Sequence, residues 1–242
     1  IFSINHACPY SFIGYACAWL RYYYPLEFLT SYLNETDGNS EKISSAMSYM
    51  SEFTDITLNP IKFGYSKSRY NFDRDTNSIY QGMEGIKYMN NAICNELYEL
   101  SQLNNYTSFI PLLKDVVEQT SIDARQLKIL TSLNFFSEFG GNKKLLTFIK
   151  YFDRLNGKKQ FSKAKIYQNN FDEIEVIQGE KMVKKKIHLP FEEFEQAFIN
   201  NSRQTEKTYM DLDTDKVLEY IWNKLEDERL PLNIQLKTEL EY

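Results

Sequence analysis

A mainly α fold with one small β-hairpin and C-terminal helices is what this sequence predicts, and three observations predict it. Apolar residues recur at helical spacing through most of the first 155 positions. The texture changes at Asn156-Gly157, where a lysine-rich loop leads into strand-like alternation over 166–189, with Gln178-Gly179-Glu180 at the expected turn. Helical periodicity then returns over 192–199 and 215–228 and begins again from Asn233.

Each element has a local reason. Phe12, Tyr15, Ala16, Trp19, Leu20 and Tyr23 lie at helical spacing and the run stops at Pro25, so an amphipathic helix is expected there, with the polar cluster Ser3, Asn5 and His6 at or just before its start. That is where unpaired backbone N–H groups can hold an anion, although a histidine in such a place is also a common cap. A short helix follows over 26–33. The loop 35–40 ends in Ser40 as an N-cap, and 41–53 places Ile43, Met47 and Met50 on one face. A short strand over 55–58, a turn at Asn59-Pro60 and an extended segment over 61–72 come next.

The stretch Ile79 to Asn91, IYQGMEGIKYMNN, joins two glycines to a lysine ahead of a helix with Ile93, Leu97 and Leu100 on one side. Further helices are expected through Leu112, Leu113, Val116 and Val117, and over 123–133, where Leu127, Leu130 and Thr131 face inward. Near the C-terminus, Val217, Leu218, Ile221, Trp222 and Leu225 form the buried stripe of a helix capped by Thr214. Asp211-Leu212-Asp213 has the spacing of a metal-binding carboxylate pair. It sits between a polar loop and a helix cap, so it reads as capping.

Composition narrows the function classes. The chain has 242 residues, 43% of them hydrophobic, enough to bury a core. Its formal net charge is −5, and neither half carries a basic surplus, so any nucleic-acid contact must come from local patches. Cys8, Cys17 and Cys94 have no metal-site or disulfide spacing and read as reduced thiols, which suits the cytoplasm. No apolar run reaches membrane-spanning length, and no nucleophile-and-base pair or phosphate-binding glycine loop appears. The start at Ile1 reads as that of an excised fragment.

Several of these stretches, in this order, resemble a known family. His6, Ala7, Tyr10, an apolar helix with Tyr15, Ala16, Trp19, Leu20 and Arg21, then Tyr24, Pro25, Glu27 and Phe28 resemble the fingers segment of bacterial or phage replicative DNA polymerases, the alpha subunit of DNA polymerase III. Gly82, Gly85, Ile86 and Lys87 resemble the entrance to that family's helix-hairpin-helix unit. Leu133, Asn134, Phe135, Phe136, Phe139, Gly140, Gly141, Asn142, Lys143 and Lys144 resemble a later motif of the same unit. The likeness runs nearly unbroken from Phe2 to Leu146.

The resemblance implies a fragment of a DNA-templated DNA polymerase. It implies fingers over 1–75, a helix-hairpin-helix-like duplex-binding unit over 76–155, a linker with the β-hairpin over 156–210, and a helical lead-in to an OB domain over 211–242. Ser3, Asn5 and His6 would face the incoming dNTP. Gly85, Lys87, Tyr88, Met89, Asn90, Asn91, Lys128, Lys143 and Lys144 would hold primer-template DNA by its backbone. Catalytic carboxylates and the Mg ions they bind would belong to the parent polymerase, whose sliding-clamp contact would likewise lie outside these motifs. This chain by itself should be inactive.

Two departures matter. The family's lysine in the opening motif is Ile4, which leaves Ser3, Asn5, His6 and the helix start to meet a phosphate. The family's Gly-Val-Gly hairpin is here Tyr88, Met89 and Asn90, of which Asn90 is expected to take the left-handed conformation more readily than Tyr88. The hairpin either keeps its phosphate grip or is an ordinary turn of the same shape. Lys128, Lys143 and Lys144 are either phosphate contacts or solvated residues, and the clamp-peptide imitations at 126–130 and 196–199 lie on helices that need their apolar residues. The competing class is a non-catalytic, polymerase-derived interaction module that binds a protein through the hairpin at 166–189.

Overall fold

The computed structural model describes residues 4–168, 171–178 and 181–242, and they form a mainly helical protein with small sheets. Contacts divide the chain into two compact units, Ile1–Glu138 with Gln235–Tyr242, and Phe139–Ile234.

The first unit begins with α1 (Ile4–Tyr23), which runs through Pro9, followed by α2 (Pro25–Glu35) and α3 (Ser40–Phe53). Pro25 opens α2 at the position where a missing N–H costs nothing. Asn39, not Ser40, caps α3, its side chain accepting the Lys42 N–H at 3.1 Å. Strand β1 (Thr57–Asn59) pairs parallel with β3 (Ser78–Tyr80), whose other edge takes β2 (Asn71–Asp73) antiparallel. Strand β1 overlaps the short strand expected over 55–58, but the three-stranded pairing left no periodic signal, because strands of three residues carry almost no alternation. Leu26, Leu29, Leu33, Ala46, Met50, Ile56 and Ile79 bury together and fix α2 and α3 against it. Met47, expected inside, is 49% exposed, while Ala46 one residue earlier is buried.

The expected buried stripe of α1 is not there. The helix exists, but none of its residues is buried: Phe12, Tyr15 and Tyr22 are each more than two-thirds exposed. Periodicity produces a helix with an apolar face, whereas burial needs an element packed on that face. Toward its last turn the Arg21 guanidinium lies 3.4 Å from the Tyr49 ring centre, and the Trp19 ring stands 5.6 Å from that of Tyr24. No helix is long and apolar enough to cross a membrane among the described residues.

Three helices complete the unit: α4 (Asn91–Leu103), α5 (Phe109–Gln119) and α6 (Ala124–Ser132). Each buries leucines: Leu97 and Leu100 on α4, Leu112 and Leu113 on α5, Leu127 and Leu130 on α6. Phe63 stands among Phe135, Phe136 and Tyr106 at ring separations of 5.8, 5.7 and 6.2 Å. The chain 61–72 is therefore tethered to the α6 end, and Phe63 N–H donates to Phe135 O at 2.9 Å.

In the second unit α7 (Asn142–Leu155) buries Leu145, Phe148, Ile149, Tyr151 and Phe152. Strand β4 (Gln160–Ser162) leads to α8 (Lys163–Tyr167), then β5 (Phe171–Gln178) and β6 (Lys181–His188) pair antiparallel from Phe171↔His188 to Gln178↔Lys181. The expected turn at Gly179 and Glu180 lies outside the described residues. The helix over 192–199 becomes a 3₁₀ turn followed by α9 (Glu195–Asn200). The pair β7 (Arg203–Gln204) and β8 (Thr208–Met210) closes a sheet of order β4-β8-β7, which the polar sequence around it concealed.

Helix α10 (Thr214–Lys224) is shorter than its pattern, and its cap is Asp213, whose carboxylate accepts the Lys216 N–H at 3.3 Å. Thr214 is already helical. Asp211 pairs with Arg203 at 3.1 Å, so the Asp-Leu-Asp run is a capping and pairing region. Last comes α11 (Leu232–Glu241).

Two outcomes follow. Burial pushes the Cys94 thiol up to about 11, so about one in a thousand should be thiolate at pH 8, and iodoacetamide should label Cys8 and Cys17 quickly and Cys94 only on unfolding. A Cβ at Gly82 would lie 2.6 Å from the Arg69 carbonyl carbon, so Gly82→Ala should lower unfolding free energy by about 1–3 kcal/mol in a denaturant titration.

Candidate nucleic-acid interface

The segment between β3 and α4 is built from two successive turns. Ile86 N–H donates to Met83 O at 3.1 Å and Met89 N–H to Ile86 O at 3.0 Å. Met83, Ile86 and Met89 are buried at 0%, 7% and 9% exposure, and this three-residue spacing turns Gly85, Lys87 and Tyr88 outward. The hairpin cannot slide on its base, because Met83 N–H donates to Lys67 O and Glu84 N–H to Ser68 O, each at 2.9 Å. Gly82 stands where any side chain would strike the Arg69 backbone.

Tyr88 takes the left-handed backbone, with φ of +72°, as the third position of a type II turn requires. The expected preference for Asn90 is therefore reversed. Asn90 is extended, with φ of −137°, because it is spent as the N-cap of α4, accepting the Ile93 N–H at 3.0 Å. A tyrosine held left-handed costs about 1–2 kcal/mol relative to the ordinary region. Two contacts from the start of α6 hold it. The Gln126 side-chain amide donates to Tyr88 O at 2.7 Å, and the Arg125 guanidinium lies 3.7 Å from the Tyr88 ring centre. Gln126 is itself locked in a capping box with Asp123.

The residues nominated from sequence are thus partly brought together. Gly85, Lys87, Tyr88, Asn90 and Asn91 are exposed along one stretch, whereas Met89 points into the core with its N–H already used. Lys128 is exposed on α6. In the second unit Lys143 is ion-paired with Glu228, and Lys144 stands 4.2 Å from the Trp222 ring centre. The pairing also holds the Glu228 carboxyl below the usual carboxylate range. Asn5 and His6 lie exposed in the first turn of α1, and Ser3 lies outside the described residues. Arg125 was not among the nominated residues. Thirty-seven positions separate it from Tyr88, and nothing in its local pattern signals the contact.

Lys87 N–H donates to Tyr242 O at 3.2 Å, and its ammonium stands 5.4 Å from the Tyr88 ring centre and 6.0 Å from that of Tyr242. Beside this a cleft of about 510 Å³ is lined in part by Asp37, Gly38, Gly82, Gly85, Glu239 and Tyr242. Among the described residues no three His, Cys, Asp or Glu side chains converge in a way that could hold a metal ion.

Residues 55–146, which include this hairpin and the capped helix after it, match the family described as helix-hairpin-helix motif. Over 60% of its length the chain is similar to DNA polymerase III alpha subunits. It is 27% identical over 148 residues to the DNA polymerase III subunit alpha of Ureaplasma parvum, covering 60% of this chain and 15% of that protein. With the subunit of Treponema pallidum it shares 29% over 147 residues, 60% of this chain and 12% of the relative. With that of Bacillus subtilis the figures are 26% over 145 residues, 60% and 13%. The chain therefore spans about an eighth of the length of these relatives.

The strained residue provides a direct check. Tyr88→Gly should leave the thermal midpoint within a few degrees of the parent chain, while Tyr88→Val, β-branched at a positive φ, should lose about 1–2 kcal/mol more than the glycine variant.

Proposed function

We propose that this chain is the part of a DNA polymerase III-type polymerase that holds primer-template duplex by its backbone, without reading sequence. The observation that carries this reading is the Met83–Met89 double turn, with Gly85, Lys87 and Tyr88 outward and Arg125 beside them. N–H groups and cations meet phosphate oxygens well, and such contacts position a duplex without reporting its base pairs. Because the whole chain carries a net charge of −5, the grip is local and weak, and added salt weakens it further. Lys143 and Lys144 contribute less, since one is neutralised by Glu228 and the other is drawn onto Trp222.

On the same reading Asn5 and His6, in the first turn of α1, face the incoming nucleotide, and Ser3 joins them. The DNA-templated addition itself belongs to the whole polymerase with its Mg-binding carboxylates, and the sliding clamp is a partner of that larger protein. A second reading, a polymerase-derived module that binds protein, is favoured by one observation, the exposed aromatic length of α1.

Fluorescence anisotropy with a labelled primed duplex separates the two. At low salt the chain should bind duplexes of unrelated sequence equally. Lys87→Ala and Arg125→Ala should each weaken binding about threefold to tenfold and reduce the slope of log K against log salt by about one. Absence of binding at low salt, or affinity untouched by both substitutions, removes the duplex-holding role.

A further inference from the structure

The lysine-rich loop of the second unit has no part in the function proposed above. Residues 154–171 carry five basic side chains and no acidic one, in a chain whose net charge is −5. Strand pairing brings a further cation to them. Lys158 and Lys159 lead into β4, Lys163 follows it, and the antiparallel partner β8 begins just after Lys207. Two backbone hydrogen bonds fix the join: Lys163 N–H donates to Lys207 O and Leu212 N–H to Lys159 O, each at 3.0 Å. At the rise of a strand Lys159 and Lys163 stand about 13 Å apart, well within the about 34 Å of one duplex turn.

These charges are not neutralised at home. Lys158, Lys159 and Lys207 are exposed, and the half-buried Lys163 donates to the neutral Gln204 side chain at 3.3 Å, with its ammonium 5.3 Å from the Tyr209 ring centre. Among the described residues no carboxylate forms an ion pair with any of the four. The acidic groups of the neighbouring elements are engaged elsewhere. Asp211 pairs with Arg203 and Asp213 with Lys216, each at 3.1 Å, and Glu195 accepts from the Tyr209 hydroxyl at 3.1 Å. Glu206, beside Lys207 in the chain, is exposed. Lys143 and Lys144 of the same unit, by contrast, are taken up by Glu228 and Trp222.

Residue type and surroundings choose the ligand. An ammonium is a point charge that meets one phosphate oxygen whatever the base beside it. A protein partner is seated chiefly by apolar anchors, and the apolar residues of these strands and turns are out of reach: Phe161, Ile166, Tyr209 and Leu212 are at most 6% exposed. Exposed ion pairs alone contribute little, whereas a polyanion that meets several cations releases a counterion at each. We propose that Lys158, Lys159, Lys163 and Lys207 form a second contact for the nucleic-acid backbone, carried by the second unit alone. It shares its ligand with the duplex-holding hairpin and none of its residues.

The test measures anisotropy of a labelled duplex with the unaltered 242-residue chain, with Lys159→Ala plus Lys207→Ala, and with Lys42→Ala plus Lys224→Ala, which removes the same charge elsewhere. All four lysines are exposed, and each variant is first shown to unfold at the parent's thermal midpoint. The patch pair should weaken binding about threefold to tenfold and lower the slope of log K against log salt by about two, with the control pair within about twofold of the parent. Equal losses in the two pairs, or no loss in the patch pair, overturn the proposal, and a loss with Lys87→Ala then leaves the hairpin's role standing. A loss in the patch pair with Lys87→Ala and Arg125→Ala silent keeps the patch and removes the hairpin. If the chain binds no duplex at low salt, both fall. If a labelled poly-glutamate peptide binds and the patch pair weakens that peptide but not the duplex, the patch is a protein site and the proposal is wrong.

Discussion

Burial of Met83, Ile86 and Met89 is the constraint on which the interface depends. Three apolar side chains spaced three apart in a segment without helix or strand can be buried together only if the backbone turns twice between them. Once they are buried, Gly85, Lys87 and Tyr88 have nowhere to go but solvent. The strained conformation of Tyr88 is therefore imposed by its neighbours, and the hydrogen bond from Gln126 with the Arg125 stack offsets part of its cost. Replacing the glycine usual in the resembled family by tyrosine did not abolish the turn. It transferred the work of holding it from backbone freedom to tertiary contacts.

The two ends of the first unit contrast in how they use aromatic residues. Around Phe63 the rings of Phe135 and Phe136 close on one another away from water, with the half-buried Tyr106 at their edge. On α1 the rings of Phe12, Tyr15 and Tyr22 stay in solvent, although the residue types are the same. Composition alone cannot separate these cases, because both are aromatic residues at plausible core spacing.

Cation placement sharpens the same point. Lys143 and Lys144 carry the resemblance as well as Lys87 does, yet Glu228 and Trp222 engage them within their own unit. Their partners lie some eighty residues away in the chain. Lys87 keeps its ammonium near two tyrosine rings, and Arg125 stands over one of them, that of Tyr88.

The sequence by itself determined the helical class, the positions of most helices, the β5–β6 pairing and the order of motifs that leads to the polymerase relatives, because periodicity and glycine, proline and cap residues act over a few positions. Reading the Asp211-Leu212-Asp213 run as capping was also a local matter. Only the tertiary structure decided that Tyr88 and not Asn90 is left-handed, that Arg125 belongs beside it, that α1 has no buried face, and that Tyr242 reaches Lys87. Each of those depends on residues far apart in the chain meeting in space, and a contact of that kind leaves no periodic trace in the residues that make it.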